Sequence, residues 1–191
     1  MRGRSRMEVR VLAAALFCLL LAGCSAEEQV TEADKALVLR AADLTAFGFR
    51  YDNVEKIESF SKKREFDGSY EIQYRFQSPQ GARPLFLHVS VKVAAKESDA
   101  ALNQGAEKLG LLIGFKKNGV EERELPAVPA GKLTLLVSGD RPIGNVFTLG
   151  EGPKTYLLIV SGLYFDDPAL WQKVIAPKLE RFRSHPAATR S

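Results

Sequence analysis

Between residues 70 and 76 the chain alternates strictly: Tyr70, Ile72, Tyr74 and Phe76 are aromatic or apolar, while Glu71, Gln73 and Arg75 between them are polar. A period of two puts every second side chain on the same face, so this run predicts an antiparallel strand with one buried and one wet face. The period-two pattern opens at Val54, and Asp67-Gly68 interrupts it as a hairpin turn does. A two-residue loop sets Phe60 opposite Arg75. A three-residue loop, 67–69, sets Phe66 by Tyr70 and Phe60 by Phe76, and is preferred because it keeps the aromatics on the buried face. The run Lys62-Lys63-Arg64 could touch anionic lipid headgroups, but with Glu65, Asp67 and Glu71 nearby it reads as a solvated strand end. Residues 85–93 repeat the alternation, with Leu85, Leu87, Val89, Val91 and Val93 on one side and Phe86, His88, Ser90 and Lys92 on the other.

The second half repeats the theme. Asn118-Gly119 turns the chain into a charged, then proline-rich stretch, 120–131, that suits an edge strand or a connector. Strands follow over 133–138, 143–149 and 154–163, separated by Gly-containing turns. The stretch 156–160 is apolar throughout, which predicts a place near the sheet centre. Three regions switch to helical spacing. Thr31 with Asp34 forms a capping-box pattern ahead of a helix over 33–42. Ser98 or Asp99 caps a second, whose stripe is Ala101, Leu102, Leu109, Leu112 and Ile113. Asp167 caps the last, with Pro168 at its first position and Leu170, Trp171, Val174, Ile175, Leu179 and Phe182 on its buried face. Pro177 is expected to kink it. The expected class is α+β: an antiparallel sheet of about six strands with two or three helices packed on one face. As topology alone, this order resembles helix-backed antiparallel lipoprotein and photosystem-accessory domains. Leu87-His88-Val89-Ser90 and Leu158-Ile159-Val160-Ser161 each precede a helix start. That order leaves both chance and an internal duplication open.

The N-terminus follows neither period. Arg2, Arg4, Arg6 and Arg10 precede an uncharged apolar run, 11–21, which is too short to span a bilayer at about 20 residues per crossing. The run closes on Leu21-Ala22-Gly23-Cys24, which resembles the lipobox of bacterial lipoproteins. The resemblance implies cleavage by a signal peptidase of the lipoprotein type, lipidation of Cys24 through its thiol, and attachment to the membrane by two or more acyl chains, enough for lasting anchorage. Ser25 rather than Asp after the Cys implies the outer membrane, facing the periplasm. The expected organisation is a signal peptide over 1–23, the lipidated Cys and a polar tether over 24–31, one α+β domain over 32–183 and a disordered tail over 184–191.

Cleavage changes what the composition means. The whole chain carries 27 basic and 23 acidic residues, but four arginines and Glu8 lie in 1–23, so 23 basic and 22 acidic residues remain. A net charge of +1 lacks the basic footprint of a nucleic-acid binder. Both cysteines are accounted for, Cys18 in the signal and Cys24 under lipid, so the domain is expected to fold without disulfides.

Candidate chemistry is sparse. His88 is the one histidine of the predicted domain, on a strand face that offers no partnering carboxylate. Asp166-Asp167 has the look of a metal pair, but capping explains it. The glycines Gly105, Gly110 and Gly114 have neither dinucleotide nor Walker spacing. There is no Gly-x-Ser-x-Gly elbow and no zinc histidine pair. No catalytic residue, metal or cofactor is therefore assigned, and the chain leans away from being an enzyme. The expectation is a membrane-anchored envelope lipoprotein acting in protein interaction or envelope assembly. The alternative is a carrier or sensor of a small apolar ligand, suggested by Phe47, Phe49 and Tyr51 beside Gly48. A hydrolase would have to assemble His88 with Ser or Asp residues from afar.

Overall fold

The alternating stretches become neighbours in the computed structural model, which describes residues 26–49, 56–78, 84–100, 110, 113–126 and 131–188. The strands are β1 (Ala26–Glu28), β2 (Ile57–Arg64), β3 (Tyr70–Ser78), β4 (Leu85–Val93), β5 (Val120–Glu124), β6 (Lys132–Ser138), β7 (Arg141–Glu151) and β8 (Lys154–Ser161). They form one antiparallel sheet in the order β1-β2-β3-β4-β8-β7-β6-β5. The class is α+β, as expected, but the sheet has eight strands rather than about six. The two additions are its edges. β5 comes from the charged stretch after Gly119, and β1 comes from residues expected to form the tether.

The sheet consists of two meanders of four strands that meet at β4 and β8. Leu87 lies opposite Val160 and Val89 opposite Leu158, so the two segments of similar order pack side by side. The apolar run 156–160 is therefore at the centre of the sheet. In the β2–β3 hairpin Phe60 lies opposite Tyr74 and Arg64 opposite Tyr70. The expected pairing of Phe60 with Phe76 is thus off by two residues. Because the error is even, every side chain keeps its face. The turn spans 65–69, with Glu65 N–H bonded to Ser69 O at 2.8 Å and Gly68 at φ +88°, where glycine costs least. Phe66 is left at its tip, 95% exposed.

One face of the sheet holds the main core. Ile72, Tyr74, Phe76, Leu87, Val89, Val91, Phe147, Tyr156, Leu158 and Val160 are buried there under three helices. These are α1 (Glu32–Leu37), α2 (Ala41–Thr45) and α3 (Pro168–Ser184). The other face buries Leu136, Val146 and Leu157 beneath Phe115, which lies in a helical segment at 113–117. Helices therefore cover both faces, not one. The reason lies in β6 to β8, where Leu135-Leu136-Val137, Val146-Phe147 and Leu157-Leu158 bury consecutive residues and so need cover on each side. On β2 and β3 that second face is Ser59, Ser61, Lys63, Gln73 and Arg75, which water can cover. Helical residues also begin at 97, so Ser98 and Asp99 sit in a first turn rather than capping it. Ala101, Leu102, Leu109 and Leu112 lie outside the described residues, and Ile113, expected on the buried stripe, is exposed.

The helix expected over 33–42 is broken in two. Thr31 caps α1 through the predicted box with Asp34, but Val38 turns extended and α2 starts afresh at Ala41. The backbone N–H groups freed at the break donate to core phenols, Leu39 to Tyr156 Oη and Ala41 to Tyr74 Oη, each at 3.1 Å. Both phenols are buried, so each gains the partner it needs. α3 is capped by Asp167, whose Oδ1 accepts Ala169 N–H at 2.8 Å. It continues through Pro177 to Ser184. Pro177 and Lys173, whose carbonyl loses its helical partner, are both on the solvent side.

Candidate interaction site

α1 and α2 on one side and α3 on the other leave an open groove of about 570 Å³. Four cationic side chains line it, Lys35, Arg40, Lys178 and Arg181, against two carboxylates, Glu32 and Asp43, over an apolar floor that includes Phe47 and Val174. Asp43 is fixed by its place at N3 of α2, where its Oδ2 accepts the Arg40 N–H at 2.8 Å. The same oxygen pairs with Lys178 Nζ at 2.9 Å, joining α2 to α3. Arg40 Nε is 3.9 Å from it, beyond hydrogen-bond range, and that buried nitrogen has no hydrogen-bond partner among the described residues. Lys35 reaches Glu32 at 2.7 Å on the rim. The groove thus holds more cations than carboxylates to pair them, in a wall stiffened by one central aspartate.

A second polar cluster ties the two ends of the domain together. Asp34, only 2% exposed, accepts the N–H and hydroxyl of Thr31 at 2.9 and 2.8 Å and Lys62 Nζ at 3.0 Å. Burial alone would raise its pKa, but these donors outweigh it and hold the carboxyl below its ordinary value. Glu28 of β1 pairs with Arg64 and lies 3.7 Å from Lys62. Lys62 and Arg64 both sit over the ring of Tyr70, at 5.2 and 4.9 Å from its centre. Burial pushes the Tyr70 phenol up to about 12, so it stays protonated. Its oxygen lies 2.7 Å from His185 Nε2, and its proton is also within reach of Pro186 O at 3.3 Å. Burial lowers the His185 pKa as well. Lys154 Nζ completes the corner by donating to the carbonyls of Phe182, Arg183 and His185 at the end of α3. Residues 185 and 186, expected in the tail, are thereby held to β3.

The residues singled out in the sequence do not converge. His88 is half-covered on the second face, opposite Arg75 and Ile159. Burial first and Arg75 second lower its pKa, and among the described residues no hydrogen bond joins it to a carboxylate. Asp167 is engaged as a cap and Asp166 is exposed; among the described residues no three His, Cys, Asp or Glu side chains are grouped to hold a metal. Phe47 and Phe49 pack on the main core, Phe49 edge-on to Phe165 at 5.0 Å. Tyr51 and Cys24 lie outside the described residues, among which no helix is long and apolar enough to cross a membrane. The groove went unread because its two walls come from opposite ends of the chain. Only the Arg40–Asp43 spacing signalled it, as a second helix start. Compared with protein families, curated proteins and solved structures, the chain matches none.

Proposed function

We propose that this chain is a lipid-anchored envelope lipoprotein that does no chemistry of its own and holds a polypeptide partner in the groove between α1–α2 and α3. The observation that carries this reading is the groove itself: open to solvent, apolar at the floor and lined by Lys35, Arg40, Lys178 and Arg181. Such a lining suits an extended or helical segment with acidic side chains over an apolar strip. It suits a small apolar ligand less well, since those are held in enclosed, mostly apolar pockets, and Phe47 and Phe49 are engaged in the core. Anchorage rests on Leu21-Ala22-Gly23-Cys24, and Ser25 favours the outer membrane. Because β1 begins at Ala26, the tether between Cys24 and the sheet is short, which keeps the groove near the bilayer.

A photocrosslinking amino acid at Ala42, on the groove wall, tests the partner in cells expressing the full chain. The expected result is one discrete adduct that trypsin digests and that Lys178→Glu abolishes. Equal adducts from a crosslinker at Asp140, in the β6–β7 turn, would overturn the groove assignment. Cys24→Ala tests the anchor: the variant should remain an unprocessed precursor without palmitate label, and a labelled variant would remove the basis for anchorage.

A further inference from the structure

We infer that the 65–69 loop is a second membrane contact, inserting Phe66 into the headgroup region beside the lipid anchor. The inference rests on the anchoring reading above and extends it to the way the domain lies on the bilayer. β1 is antiparallel to β2, with Ala26 opposite Arg64. The N-terminal end of β1 therefore lies at the end of the sheet where β2 runs into the 65–69 loop. Cys24 is two residues before Ala26, at most about 7 Å of chain. Phe66 is two residues after Arg64. The acyl chains and the phenylalanine thus belong to the same end of the same sheet edge.

The loop has the chemistry for that position. Phe66 is 95% exposed while the remaining aromatics of the hairpin, Phe60, Tyr70, Tyr74 and Phe76, are covered. A lone exposed aromatic is unremarkable on a free surface but gains apolar contact at an interface. Lys63 and Lys96, both exposed, flank the loop. Asp67 is occupied by the N–H and hydroxyl of Ser69, and Glu65 remains exposed. These carboxylates limit the loop to the headgroup layer. Next to it lies a hollow of about 230 Å³ lined by Lys63 and Lys92 together with Glu65 and Glu71. Within it Lys92 faces Glu71 at 3.9 Å and Glu71 accepts the Ser90 hydroxyl at 2.6 Å, so the loop's contact with lipid rests on Phe66 and Lys63.

The test is tryptophan depth quenching in the full lipidated chain, reconstituted in vesicles of phosphatidylethanolamine and phosphatidylglycerol with brominated acyl chains. Native Trp171 is fully buried and gives a constant background. With Phe66→Trp, the added emission should be mostly lost to bromine. With Asp140→Trp, in the turn at the opposite end of the sheet, it should persist. Added emission at position 66 that bromine leaves untouched, in a chain whose N-terminal peptide carries the acyl mass, would overturn the inference and turn the loop into a contact for protein. An N-terminal peptide without acyl mass would overturn the anchoring reading instead, and with it the inference.

Discussion

The phenol oxygen of Tyr156, on the central strand, accepts the backbone N–H of Leu39 at 3.1 Å from the other end of the chain. This bond sits where the N-terminal helix breaks, and the buried N–H has no water to turn to. Tyr156→Phe keeps the ring and removes the acceptor, so it should cost about 1 to 3 kcal/mol, the penalty of a buried donor left unsatisfied. Urea unfolding monitored by circular dichroism checks it. An unchanged midpoint would mean that the break at 38–40 stands without the phenol.

Trp171 is fully buried between Phe147 and Phe165, at 5.3 and 5.1 Å between ring centres. Truncation to Ala should cost about 3 to 5 kcal/mol and lower the melting temperature by about 6 to 20 °C at about 2 to 4 °C per kcal/mol. Trp171→Phe should lose far less. It keeps an aromatic ring and removes an indole N–H that has no partner among the described residues. Calorimetry on the two variants separates packing from the polar group.

Asn145 is a fully buried amide on the apolar face. Its Nδ2 donates to Phe165 O at 2.9 Å and its Oδ1 accepts Phe165 N–H at 2.6 Å, which fixes the approach to α3. Asn145→Leu has similar bulk but strands both backbone groups, and a loss of about 2 to 5 kcal/mol is expected for two buried groups. A melting temperature equal to that of the unsubstituted chain would show that the 162–167 segment is held by packing alone.

Acid should weaken the corner where Asp34 and His185 gather around Tyr70 and Lys62. The folded pKa of Asp34 is depressed, so its contribution is complete above the unfolded value of about 4 and is lost as pH falls through the lower folded value. His185 is also depressed, by burial. For a base this favours the neutral form, so its contribution is complete above the unfolded value of about 6.5 and fades as pH falls. Both act in the same direction, and melting temperature should decline in two stages on acidification. Asp34→Asn should flatten the lower stage and His185→Gln the upper. A profile unchanged by either substitution would assign the acid loss to other groups.

What the sequence disclosed follows from how local each signal is. The alternation over 70–76 and 85–93 and the stripe through Trp171 are properties of short windows, and the strands, their buried faces and α3 were legible from them. The break at 38–40 was not, because the phenols that stabilise it come from β3 and β8. Nor was the second covered face, since Leu136, Val146 and Leu157 converge only after pairing. β1 was hidden for a different reason. Ala-Glu-Glu has little strand propensity, and what holds it is Glu28 meeting Lys62 and Arg64 across the strands. The groove required both ends of the chain at once, whereas the Leu21 to Cys24 pattern is continuous in sequence.

The open edges of the sheet bear on the anchoring proposed above. Copies anchored to one membrane share an orientation and a high local concentration, the conditions under which exposed strand edges join from molecule to molecule. β1 is Ala-Glu-Glu, and β5 is Val-Glu-Glu-Arg-Glu with its last four residues exposed. Two neighbours approaching through either edge would bring carboxylates against carboxylates, a known way of blunting such an edge. The charge on these edges would thus let copies anchored as proposed crowd one membrane without polymerising.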